Sequence, residues 1–323
     1  MTKKTKLRIV IAVIAVLAAA AVTLSLLAAL YYNSAANTGD QRNEASEDDG
    51  YIDAVVNTFS VETATDDESA VNLDKGLKPL LEKALNDASA QFDGQWSAYV
   101  YVPSEVQSIS INERKMQAAS VIKLFVMGKV YDEYDDITRK YGKDEIDSLL
   151  KSMITLSSNE DTDELIYMLG RGDPAAGRKK VTDYCKSLSL GNTSMGRMML
   201  DDNTISDNYT SAKDSGEFLA MILGGELPHS KEMINLLKKQ TRKNKIPDGV
   251  PSNVMTANKT GELEDVENDA AIVFAGKPYI LCIMSDGVND YQPPIDAIAD
   301  MSTDVYNYLA PKLRNDSAFD QHS

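Results

Sequence analysis

From Ile9 to Leu30 the chain runs for 22 residues without a charge, a segment that few globular folds can bury. As a helix it would be about 33 Å long, enough to cross the hydrocarbon core of a bilayer. The apolar part of a cleaved export signal is shorter, roughly 7–15 residues. Lys3, Lys4, Lys6 and Arg8 precede the run, and basic residues at the start of a span hold that end in the cytoplasm. The sequence therefore predicts a cytoplasmic stub over 1–8, an uncleaved single-pass anchor over 9–31, and a remainder outside the cell membrane. No cysteine lies just after the run, so lipoprotein attachment is excluded.

Beyond the anchor, 32–74 is polar and acidic, with the cluster Glu47-Asp48-Asp49, and reads as a flexible spacer. A domain is expected over 75–313. It opens with a helix, Gly76 to Ala90, on which Leu77, Leu80, Leu81 and Leu85 recur at helical spacing. Strand patterns follow at Trp96 to Val102 and Val106 to Asn112, joined by a turn at Pro103 and Ser104. A helical block covers Ser120 to Leu223. Strands return at Val254 to Thr260, Ala270 to Ala275 and Tyr279 to Ser285, and a last helix runs from Ile295 to Leu313. Residues 314–323 read as a frayed tail. This order predicts an α+β domain, an antiparallel sheet with flanking helices plus an all-helical lobe, preceded by one transmembrane helix.

Composition narrows the chemistry. Lys and Arg number 33 against 49 Asp and Glu, a net charge of −16, and no basic patch points to nucleic acid. Cys185 and Cys282 are expected to be reduced and packed. The two histidines, His229 and His322, supply neither a Ser-His-Asp triad nor a His/Cys zinc cluster. No metal or cofactor is expected, and a hydrolase built from this chain needs a lysine or carboxylate base.

Ser120 and Lys123 supply a candidate. Residues three apart on a helix share a face, and among Ile122, Leu124 and Phe125 burial would push the lysine toward its neutral, proton-accepting form. Alone, S-x-x-K arises by chance about once in a chain this long, and a serine cap followed by a surface lysine explains it as well. Two further elements follow in order: Ser157-Ser158-Asn159, then Lys259-Thr260-Gly261. Ser158, with Asp161 three residues on, also suits a helix cap. The ordered set S-x-x-K, S-x-N and K-T-G makes the catalytic reading the stronger one.

With those motifs, the stretch from about Lys75 to Leu313 resembles the class A β-lactamase and penicillin-binding serine hydrolase family. Ile246-Pro247-Asp248-Gly249 is similar to the segment leading into the family's K-T-G strand, and Asn268 to Val273 to the strand after it. The resemblance implies Ser120 as nucleophile, Lys123 as its base and Ser157 as proton relay. It implies an oxyanion hole from the N–H groups of Ser120 and Glu262. Asn159, Lys259, Thr260 and Gly261 would bind substrate, a β-lactam or a peptidoglycan-stem-like peptide, in what is expected to be a monomer.

The chain also departs from the family. Members that clear the acyl-enzyme carry a loop glutamate, in an E-x-x-L-N context. The matching stretch here, Arg197 to Thr210, is several residues short and contains none. Asp163 stands where an asparagine usually supports that glutamate, and Ser158 replaces the middle Asp of S-D-N. From Glu262 to Ala275 there is no arginine to help Lys259 hold a carboxylate. Acylation with slow deacylation is therefore expected. Two alternatives remain open: a β-lactamase using Asp202 or Asp201 as base, and a sensor or scaffold that binds without turnover.

Overall fold

A computed structural model describes residues 71–289 and 294–313. Among the described residues no helix is long and apolar enough to cross a membrane; the anchor expected over 9–31 and the tail over 314–323 lie outside them.

A π-helical turn, Leu73–Leu77, leads into α1, Lys78–Phe92, which buries Leu81, Leu85, Ala88 and Phe92 along one stripe. The helix ends where Asp93 takes a left-handed φ of 57° before Gly94, and β1, Asp93–Val102, begins. A short turn at Pro103–Glu105 connects it to β2, Gln107–Ile111. After the two-residue β3, Met116–Gln117, a 3₁₀ turn, Ala119–Ile122, carries Ser120. The helical lobe follows: α2, Lys123–Asp132; α3, Tyr134–Tyr141; α4, Lys143–Thr155; α5, Asn159–Leu169; and α6, Pro174–Ser187. A loop then reaches β4, Tyr209–Thr210, which pairs with β3. Next come α7, Ala212–Leu223, and α8, Ser230–Lys238, then a 3₁₀ turn at Ile246–Gly249. The chain finishes with β5, Met255–Leu263; β6, Val266–Phe274; β7, Tyr279–Val288; and α9, Ile295–Leu309.

The main sheet runs β2-β1-β7-β6-β5, every pairing antiparallel, so β5 is an edge. Every residue of β6 is buried, because helices cover both faces of the sheet. α1 and α9 close one face over a core that includes Leu77, Leu81, Val100, Leu281 and Val305. α7 packs on the other face, and it comes close at Gly216, where a Cβ would lie 2.2 Å from the Tyr99 ring.

The expected α+β layout holds, with three adjustments. Ser120 sits on a 3₁₀ turn rather than in regular α-helix, which starts at Lys123. The helical region continues past Leu223 through α8. The β3–β4 pair was not predicted, since two residues are too few to show a period. Cys185 and Cys282 are free and buried.

Candidate active site

Burial of nearly all of α2 brings a lysine with it: Lys123 is 0% exposed. Its Nζ lies 3.0 Å from Ser120 Oγ, 2.6 Å from Ser157 O, 2.7 Å from Asn159 Oδ1 and 3.2 Å from Ser157 Oγ. Lys123 donates in all four contacts, to two carbonyls and two hydroxyls, and a neutral amine in the same place has a lone pair that can take the Ser120 proton. Burial, reinforced by the Arg242 charge, brings the Lys123 pKa down to about 7, against the opposing pull of Asp163 and Glu160.

Lys259 closes the other end of the chain of contacts. Also 0% exposed, it donates to Ser157 Oγ at 2.9 Å and to Thr260 O at 2.9 Å. Burial, then the charges of Lys123 and Arg242, hold its pKa well below the usual lysine value. Ser120, Lys123, Ser157 and Lys259 thus form one hydrogen-bonded run from the turn before α2, through the α4–α5 loop, to the edge strand. Backbone strain marks the same place: Ala119, just before the nucleophile candidate, and Ser157 have φ of 45° and 62°. Such conformations persist only where surrounding structure enforces them. Ser158 caps α5, accepting from Asp161 N at 3.1 Å.

The strand supplies backbone groups. Because Lys259 Nζ reaches Thr260 O, that carbonyl faces the open edge of β5, and two-residue alternation puts the Glu262 N–H on the same edge. The Ser120 N–H lies in the first turn of its helix, where amides lack helical partners. These are the two donors expected for an oxyanion. Gly261 has a local reason to lack a side chain: a Cβ there would stand 2.7 Å from Ala118 O and 3.1 Å from Val121 N. It makes room for the Ser120 turn itself. Thr260 does not join the four-residue run; it pairs across the sheet with Asp269, and its buried Oγ1 has no hydrogen-bond partner.

The shortened loop is held at both ends. Arg197 Nε pairs with Asp207 Oδ1 at 2.7 Å, both side chains nearly buried. From α5, Asp163 accepts from the amides of Met199 (2.6 Å) and Leu200 (3.1 Å). The first of these residues is a methionine, whose thioether accepts weakly from Asn208 Nδ2 at 3.6 Å and is no base. Asp202 is exposed, caps Thr204 N at 2.8 Å, and is held below the usual carboxylate range by that amide. Asp201 caps Met198 N at 3.1 Å.

Sequence reasoning missed Arg242, Lys245 and Glu267. Arg242 Nη1 lies 2.7 Å from Glu262 Oε2, and wholly buried Lys245 bridges Glu262 and Glu267. The signal available was the hairpin: two acidic residues flanking Glu264-Asp265 must face each other across the strands, and like charges there need a cation.

Fold and site together define a serine hydrolase, with a wholly buried lysine beside the candidate serine. The sequence profile of the beta-lactamase enzyme family matches residues 79–142 and 137–309, and the chain belongs to that family. Among solved structures it is similar to PBP-A, at 20% identity over 72% of this chain and 96% of that one, with a TM-score of 0.62. The beta-lactamase of Streptosporangium roseum superposes with the same score, at 20% identity over 73% of this chain and 100% of that one. The beta-lactamase of Sphaerobacter thermophilus does so at 19% identity over 73% and 97%. No curated protein matches the sequence.

Proposed function

We propose that this chain is a membrane-anchored acyl-transfer enzyme working outside the cell membrane. Its substrate is an amide carried by an anionic molecule, a β-lactam or a D-alanyl-D-alanine-like peptide, and its acyl-enzyme on Ser120 is long-lived. The reading rests on one observation, the run of two wholly buried lysines and two serine hydroxyls in hydrogen-bond contact.

In this reading neutral Lys123 takes the Ser120 proton as Oγ bonds to the carbonyl carbon. The carbonyl electron pair moves onto oxygen, facing the N–H groups of Ser120 and Glu262. Collapse of that oxyanion breaks the C–N bond, and the proton passes from Lys123 through Ser157 to the departing nitrogen. An ester remains on Ser120. Lys259 orients the Ser157 hydroxyl and, with Thr260, meets the substrate carboxylate. Asn159 has its Oδ1 engaged by Lys123, which leaves its NH₂ to donate to a substrate amide.

Intact-mass measurement on the purified full-length protein with benzylpenicillin tests this. One covalent adduct is expected, lost completely in Ser120→Ala, with acylation slowed but retained in Ser157→Ala. Labelling that persists without Ser120 would end the acyl-enzyme reading, and an unlabelled wild type would favour the non-covalent sensor. The anchor has its own check. The intact chain is expected in the membrane fraction, with its domain open to protease from outside; a free protein starting between Ala28 and Asn37 would refute it.

A further inference from the structure

Lys245 stands outside the hydrogen-bonded run and no motif contains it. The next residue is fixed at both of its backbone groups, since Ile246 N donates to Asp269 Oδ2 at 3.0 Å and Ile246 O accepts from Ser302 Oγ at 2.8 Å. From this mount the Lys245 side chain, 0% exposed, reaches the end of the β5–β6 hairpin. There Nζ lies 3.1 Å from Glu262 Oε1, 2.5 Å from Glu267 Oε2, 3.2 Å from Asn268 O and 3.5 Å from Gly261 O. The four acceptors belong to two consecutive cross-strand pairs, Gly261 with Asn268 and Glu262 with Glu267. One ammonium therefore pins the two rungs of the sheet that border the proposed oxyanion site. Without it, two carboxylates would face each other directly across the strands and push them apart.

Stability alone gives little reason for this arrangement, because an apolar replacement for a buried ion cluster is often as stable or more so. Its location gives a better one. Glu262, the residue that Lys245 and Arg242 grip by its carboxylate, is the residue whose N–H faces the open edge. We propose that Lys245 is a positioning residue that fixes the Glu262 N–H for oxyanion stabilisation. This rests on the acyl-transfer reading and adds to it a residue that the motifs do not contain.

The test uses full-length protein in detergent and separates three quantities. They are the affinity for benzylpenicillin before reaction, the acylation rate constant, and the affinity for phenylboronic acid, which becomes a tetrahedral anion on a serine oxygen. Lys245→Met is expected to lower the acylation constant by ~10²-fold and to weaken the boronate by a similar factor, with pre-reaction affinity changed less than ~3-fold. Because that variant leaves Glu262 facing Glu267, the double variant Lys245→Met/Glu267→Gln removes one cation and one anion together and should give the same split. A folded double variant that acylates within ~3-fold of wild type overturns the assignment. So does slower acylation with unchanged boronate affinity, or a double variant that does not fold, which would make Lys245 purely structural. A wild type that never labels overturns the acyl-transfer reading instead.

Discussion

Replacing Lys123 with alanine should slow β-lactam labelling of Ser120 by ~10²–10⁴-fold, the usual worth of a positioned general base. The pH profile should carry the same signature. Burial and the Arg242 charge bring Lys123 to about 7, and only the unprotonated amine can accept the serine proton. Acylation by wild type should therefore be slow at pH 5, rise through about pH 7 and level off above it. The residual rate of Lys123→Ala should lose that inflection. The sign is decisive: a lysine acting as a cation for substrate binding would give activity that falls as pH rises. Rates followed by intact mass between pH 5 and 9 separate the two, and undiminished labelling of Lys123→Ala would leave it a plain buried lysine.

Local spacing explains why the nucleophile and base were legible in sequence. Ser120 and Lys123 are three residues apart, and the apolar residues after Ser120 announce a buried helix. Parts of the rest were legible for the same reason, because α1 carries a helical period and β7 opens on a continuous apolar run, Tyr279 to Met284. Contacts set by the fold were harder to read. Lys259 reaches Ser157 across 102 residues, and only the ordered motifs hinted that they meet. Gly261 was expected to face substrate; that its missing Cβ also accommodates Ala118 and Val121 is a close approach that no single segment encodes. Lys245 was invisible because a lysine in the basic run Arg242-Lys243-Asn244-Lys245 before a proline turn looks like surface, and what buries it is a hairpin some 20 residues later.

Asp163 shows the same limit from the other side. Its identity is a departure visible in the sequence, but only the fold shows which backbone it holds, the amides of Met199 and Leu200. With those two bonds the carboxylate is spent on the loop, and burial raises its pKa above the usual carboxylate value despite them. A carboxylate so engaged anchors a loop better than it serves as a free base.

The adduct on Ser120 should outlast many times the time it takes to form. Deacylation needs a base that can draw a proton from water beside the ester, and each carboxylate of the shortened loop already has another task. Asp202 caps Thr204 from an exposed position, and Asp201 caps Met198. The position pinned by Asp163 presents a thioether. An aspartate swung in from the exposed part of the loop would have to break its cap and move the backbone, and misplacement by about 1 Å can cost on the order of 10²-fold. With penicillin in excess, mass spectra should show near-complete single occupancy that decays slowly after the free drug is removed, and Asp202→Asn should leave that decay little changed. The opposite pattern, rapid multiple turnover abolished by Asp202→Asn, would require the loop to rearrange in the acyl-enzyme so that this aspartate reaches the water. In that case the chain would be a β-lactamase with a substitute base.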